Sequence, residues 1–397
     1  MGIVESNWQD AMQNPAPPSM VVDIPTGGIE LDPDTGVDTA LIDGQRLPVQ
    51  FDLDQRVWTT AHQDGGSSLQ LACLNDASRL RRVELPGMPT MPVDATPIPR
   101  FLHFIWVGHR PMPEALVNRV LVNALRTPGF RTIVHVGMND PSLLAAMRDR
   151  LDDPVPWVTV LNLDDEPCFA AFRNLPVHGY YRAFMEETTQ NYGAASDLLR
   201  LWLIYAYGGI YLDVDDVFAD EIDSDAHLLA APGNLLLGSR YRDPLHGFAG
   251  YNQSHFASHA GNPVLMCMLE EAWRRLEASP SFFADRPWGR PGEPEDHRMN
   301  SYICTVFHLT GPQLFTDMIS TLRPDIAFIE ANFLRAMEVL HYSPDRPRYR
   351  AESYLATANA ALMHYLPFHD GPFRVVIGSA GSWNDKDARH TPVDAGL

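Results

Sequence analysis

The chain has 397 residues, 45% of them hydrophobic and 20% charged, which suits a globular protein with room for one large domain or two. Asp and Glu number 50 against 30 Lys and Arg, a formal charge of −20; that field repels nucleic acid and anionic membrane surfaces and suits a protein that holds a divalent cation. The 4 cysteines form no CxxC or Cys/His cluster, so they read as reduced, mostly buried thiols rather than a zinc site or a disulfide framework.

The opening MGIVESNWQDAMQNPAPP (1–18) lacks the basic and apolar regions of a secretory signal. The most apolar stretch, 201–212, is too short to span a bilayer, and the expected location is cytoplasmic. From 20 to 73 short apolar runs alternate with turn residues (MVVDI, GIELDPDTG, TALIDGQRLPVQFDL), predicting a small β-rich region. ELPGMPTMPVDATPIP (84–99) packs its prolines too densely for a helix or a central strand and reads as a linker. The expected division is therefore an N-terminal region 1–95, a catalytic domain 96–390 and a tail 391–397.

Beyond the linker, strands and helices alternate. RFLHFIWV (100–107) is a buried strand ending at Gly108, followed by a helix over 113–126 and strands over 132–136 and 158–161. Residues 180–207 read as mostly helical, stopping at Gly208-Gly209, and 210–213 as a strand. Further helices are expected over 267–276 and 314–322, with GRPGEPEDH (289–297) as a polar flap. This order predicts an α/β fold with a doubly wound, mostly parallel sheet.

The chemistry concentrates in SDLLRLWLIYAYGGIYLDVDDV (196–217). An apolar strand delivers Asp213, Asp215 and Asp216 at its C-terminal end, where open α/β sheets bind ligands. On an extended segment Asp213 and Asp215 point to one side. Two adjacent carboxylates repel each other, and Mn²⁺ or Mg²⁺ would relieve them. Asp197 and Arg200, three apart on the preceding helix, share a face among Leu198, Leu199, Leu201 and Trp202. Such a partly desolvated pair can bind sugar hydroxyls and counter diphosphate charge.

These residues resemble the DxD-containing sugar-transferase superfamily, which includes the catalytic domains of the large clostridial glucosylating toxins and the yeast-type initiating mannosyltransferases. IPRFLHFIWVG (98–108) is similar to its first strand, YNQSHFASHAGNP (251–263) and TGP (310–312) to its middle blocks, and GSW (381–383) to its C-terminal lid. Together they span about 97–383. The resemblance implies a GT-A fold and a glycosyltransferase moving a hexose, with retention, from a UDP-sugar to a hydroxyl acceptor with Mn²⁺ or Mg²⁺. It implies Trp106 stacked on the base, Asp197 and Arg200 on the sugar, Asp213 on ribose and sugar hydroxyls and Asp215 on the metal. Ser382 and Trp383 would meet the metal and phosphate oxygens, and Asn139 stands where many relatives have aspartate. His364 is a third metal candidate, whereas His103 reads as structural. Ser382 and Trp383 are adjacent, as in the mannosyltransferase-like branch, not one residue apart as in the toxins. The acceptor stays open among a protein, a glycan and a small metabolite. A catalytically silent sugar-nucleotide binder and a metal-dependent phosphohydrolase or nucleotidyltransferase remain alternatives.

Overall fold

The computed structural model describes residues 20–25, 29–31, 38–42, 45–52, 57–60, 80–87, 94–283 other than 139, 153, 187 and 239, then 287, 297–342, 354, 358–369 and 371–378. The chain divides into two compact units, one of residues 1–7, 91–326 and 363–397, the other of 8–90 and 327–362. In the second unit the expected β-rich region is a four-stranded antiparallel meander of Ile29–Leu31, Asp38–Ile42, Gln45–Asp52 and Val57–Thr60, plus the antiparallel pair Met20–Pro25 and Leu80–Leu85. The helix Pro324–Tyr342 contributes most of its length to the same unit.

The first unit is built on a six-stranded sheet. Its order is Val158–Asn162, Arg131–Gly137, Phe101–Val107, Gly209–Leu212, His255–Ser258, Leu236–Leu237. The first four strands are mutually parallel, and His255–Ser258 runs against its neighbours. The α/β class with a mostly parallel sheet is as expected. Strands buried on both faces need near-continuous apolar sequence, and FLHFIWV and GIYL supply it. In chain order the parallel strands run third, second, first, fourth, so the topology reverses between Phe101–Val107 and Gly209–Leu212. A ligand crevice in such a sheet opens at that reversal, beyond the C-terminal strand ends.

The expected helix over 180–207 is two helices, His178–Met185 and Tyr192–Tyr207. The break falls where Asn191 caps the second: its side chain accepts the Ala194 N–H at 3.0 Å, while its own N–H bonds the Phe184 carbonyl at 2.8 Å. Helices Pro141–Leu151 and His297–Leu309 had no expectation behind them. The linker carries the two-residue strand Thr96–Pro97, paired with Leu229–Ala230. The flap 289–297 lies outside the described residues except for His297, which opens a helix. The described cysteines are free, but the expected burial fails: Cys168 and Cys267 are half-buried and Cys304 is exposed. Among the described residues no helix is long and apolar enough to cross a membrane.

Candidate functional site

Helix Tyr192–Tyr207 buries its whole middle, Asp197 to Ile204, which is why it is apolar on nearly every face. It ends at Gly208 (φ 66°) and Gly209 (φ 98°). A Cβ on Gly208 would stand 2.7 Å from the Ala260 nitrogen, and one on Gly209 2.7 Å from the Phe101 oxygen. Both the backbone conformation and the space therefore require glycine. This tight exit turns the chain straight into Gly209–Leu212, so the helix and strand that carry the polar cluster are fixed against each other.

Arg200 is the centre of that cluster. Its Nη2 lies 3.2 Å from Asp197 Oδ1 and 3.2 Å from Asp213 Oδ1, and its Nη1 donates to the Gln253 carbonyl at 2.9 Å. The guanidinium also stacks 4.7 Å over the Tyr211 ring, whose hydroxyl donates to Asp213. Asp197 accepts from Gln253 Nε2 at 2.7 Å and from the Thr310 hydroxyl at 2.9 Å. Burial opposes the charge on Arg200, but the surrounding Asp213, Tyr211, Asp197 and Asp216 oxygens outweigh it and hold the group protonated. Burial pushes Asp197 up to about 6, against the pull of Arg200 and Thr310. Asp213 is driven to about 7 by burial, with Arg200 and the Tyr211 hydroxyl pulling it down and the nearby Asp216 and Asp215 raising it. The Gln253 Oε1 is buried and has no hydrogen-bond partner among the described residues, so an acceptor waits beside Asp197.

Asp213 to Asp216 are not extended. The Asp216 N–H bonds the Asp213 carbonyl at 3.0 Å, a turn immediately past the strand, so the expected side-by-side display of alternate strand residues does not occur. Asp213 is anchored through its N–H to the Ser254 carbonyl at 2.7 Å. Asp216, 1% exposed, accepts from Ser254 Oγ at 2.6 Å and from the Gly378 N–H at 2.8 Å, and lies 3.0 Å from His255 Nδ1. Asp213 and Asp215 keep partial exposure. Burial shifts Asp213 toward neutrality and Asp216 is taken up by Ser254 and Gly378, which leaves Asp213 and Asp215 as the carboxylates that could meet a hard divalent cation. Among the described residues no group of three or more His, Cys, Asp or Glu is placed to hold a metal ion.

Trp106 is the penultimate residue of strand Phe101–Val107, half-buried, with its indole N–H donating to the Arg110 carbonyl at 2.8 Å. The register Tyr211↔His103 puts Trp106 and Asp213 at the same edge of adjacent strands. His364 has a different setting: its ring meets Tyr365 edge-on at 5.0 Å, and burial and the nearby Arg323 lower its pKa. The structure does not gather it with Asp213 and Asp215 into a metal-binding group. Asn139, Ser382 and Trp383 lie outside the described residues. Gln253 and Asp216 are site residues for which sequence reasoning assigned no role, although both fall inside segments it had singled out. Their partners, Asp197 and Ser254, are 56 and 38 residues away in sequence.

A buried polar site thus opens at the reversal of a mostly parallel α/β sheet, the arrangement of a class of proteins that bind nucleotides or their conjugates there. Residues 161–230, which include Asp197, Arg200, Asp213 and Asp215, match the glycosyltransferase sugar-binding region containing the DXD motif. Subversion of eukaryotic traffic protein A of Legionella pneumophila is 33% identical over 140 residues, 34% of this chain and 20% of that protein. Toxin Afp18 of Yersinia ruckeri is 24% identical over 304 residues, 74% of this chain and 12% of that protein. The chain therefore spans a fifth or less of the length of these two relatives. The solved PaToxG glycosyltransferase is similar with a TM-score of 0.47 and 19% identity, covering 70% of this chain and 82% of that one.

Proposed function

We propose that the chain is a metal-dependent glycosyltransferase that moves a hexose from a UDP-linked donor to a hydroxyl acceptor, with retention. The observation that carries this reading is Arg200, buried and shared between Asp197 and Asp213 at the switch point, within a DXD sugar-binding region. A structural ion pair alone does not need a second carboxylate, an orphaned Gln253 acceptor and an open acidic turn beside it.

In this reading Asp197, Arg200 and Gln253 form the sugar end of the site. The buried carboxylate and amide oxygens accept hydroxyl protons, and the guanidinium fixes both carboxylates and faces developing negative charge on the leaving group. Asp213 binds ribose and sugar hydroxyls, and Trp106 stacks on the base. Asp215, with Asp213, would hold Mn²⁺ or Mg²⁺, which supplies Lewis-acid stabilisation of the departing diphosphate. Asn139, Ser382 and Trp383 keep the donor contacts that the family resemblance implies. The names of the relatives, a toxin and a protein that subverts eukaryotic traffic, favour a protein hydroxyl in a target cell as acceptor.

The test is product analysis with UDP-hexoses and Mn²⁺. UDP release that stops on chelation supports the transferase. UMP or inorganic phosphate would identify a phosphohydrolase or nucleotidyltransferase, and tight UDP binding without turnover a silent binder.

A further inference from the structure

The acidic turn is held from outside the site by a helix to which sequence analysis gave no role. Helix Glu114–Arg126 buries Leu116, Val117, Val120 and Ala124 in the core, and Asn123 is fully buried among them. A buried carboxamide in an apolar face needs a polar purpose. Its Nδ2 donates to the Asp216 carbonyl at 2.8 Å and its Oδ1 accepts the Phe218 N–H at 2.9 Å. The Val217–Phe218 strand pairs on its other edge with Val375–Val376. One side-chain amide therefore stands in for a neighbouring strand.

The same helix reaches this segment one turn to either side. Arg119 donates to the Asp215 carbonyl and Arg126 to the Phe218 carbonyl. The Arg126 carbonyl in turn accepts the Ile222 N–H at 2.7 Å. Positions 119, 123 and 126 form a single stripe on a helix. All these bonds go to backbone and none to a carboxylate, so the segment is gripped through its main chain.

We propose that Arg119, Asn123 and Arg126 are positioning residues, a polar rail that fixes the Asp215–Phe218 backbone so that the acidic turn meets a metal–diphosphate ligand in one geometry. The proposal rests on the donor reading above. It concerns pre-organisation: a turn already held in place loses less freedom when the ligand binds.

The test uses the full chain with Arg119→Met, Arg119→Lys and Asn123→Leu. Amide hydrogen exchange over 213–218 is read without ligand, UDP–Mn²⁺ affinity by calorimetry, and melting temperature alongside. Arg119→Met is expected to speed exchange in 213–218 and weaken UDP–Mn²⁺ about tenfold, as losing one charge-assisted bond would, with the melting temperature held. Lysine should recover most of both effects. Asn123→Leu should do more; if it does not fold, the Arg119 pair decides. Wild-type exchange and affinity in Arg119→Met would overturn the proposal. So would losses that only track a lowered melting temperature, with exchange raised throughout the chain. If the wild type itself binds no UDP–Mn²⁺, the donor reading fails, and the exchange measurement still decides whether the rail holds the turn.

Discussion

Arg200 illustrates how a buried charge is made tolerable and then useful. Its side chain is 7% exposed, yet carboxylate, carbonyl and aromatic partners surround it. Removing the cation while leaving Asp197 and Asp213 in place should cost far more than the pair contributes. Arg200→Met is expected to lose about 3–5 kcal/mol in denaturant titration at neutral pH, with the deficit shrinking in acid as the stranded carboxylates protonate. Asp197 gives a second test, of sign. Its folded pKa of about 6 exceeds the free value of 3.8, so between these limits the folded state keeps a proton that the unfolded chain has lost. That contribution to stability is fully present below the unfolded pKa and is lost as pH rises through the folded one. Thr310 supplies a hydroxyl that favours the ionised form. Thr310→Val should therefore raise the pKa further and extend the fall in melting temperature to higher pH, read as a melting-temperature profile from pH 4 to pH 8 against wild type.

At the scale of elements, the alternation of strand and helix, the double-glycine exit and the pairing of Asp197 with Arg200 were legible because each is written in neighbouring residues. The turn at Asp213–Asp216 closes on a local backbone bond that the DVDD pattern does not announce, and the Gln253 acceptor and the Arg119–Asn123–Arg126 stripe depend on partners from distant segments. The same holds beneath the sheet. His103, read as structural, donates from Nε2 to the Gly208 carbonyl at 2.9 Å; its Nδ1 is 2.9 Å from His135 Nε2, and His135 Nδ1 is 2.7 Å from Glu166. The Tyr207 hydroxyl donates to the other Glu166 oxygen at 2.9 Å. Burial lowers the His103 pKa, so that ring is neutral and its Nδ1 must accept a proton from His135. Glu166→Gln can satisfy the whole chain with both rings neutral, its amide donating to His135 and its carbonyl accepting from Tyr207. It should melt near wild type, whereas Glu166→Leu leaves the buried His135 Nδ1 without its partner and should cost about 1–3 kcal/mol. Equal losses in both variants would count against this hydrogen-bond assignment.

For the whole molecule the governing quantity is its charge. At −20 the chain repels itself, so added salt should raise its melting temperature by screening, without any site being involved. A divalent cation would do the same, which makes stabilisation by Mn²⁺ alone uninformative. The specific effect needs metal and nucleotide together, measured against NaCl of equal ionic strength. Ligand at a hundredfold excess over its dissociation constant stabilises the folded state by about 2.7 kcal/mol. For a chain of this size that corresponds to a rise of roughly 3–5 °C. The expected order is therefore a small rise with NaCl, a similar one with Mn²⁺, and a large further one with UDP and Mn²⁺. Asp215→Ala separates the causes. It removes one carboxylate from a crowded turn whose backbone Arg119 and Asn123 still hold, so the fold and the salt response should survive. The increment from UDP with Mn²⁺ should vanish if Asp215 holds the metal. An Asp215→Ala protein that keeps the full increment would remove the metal assignment from Asp215, and with it the main chemical reason for three carboxylates to share one turn.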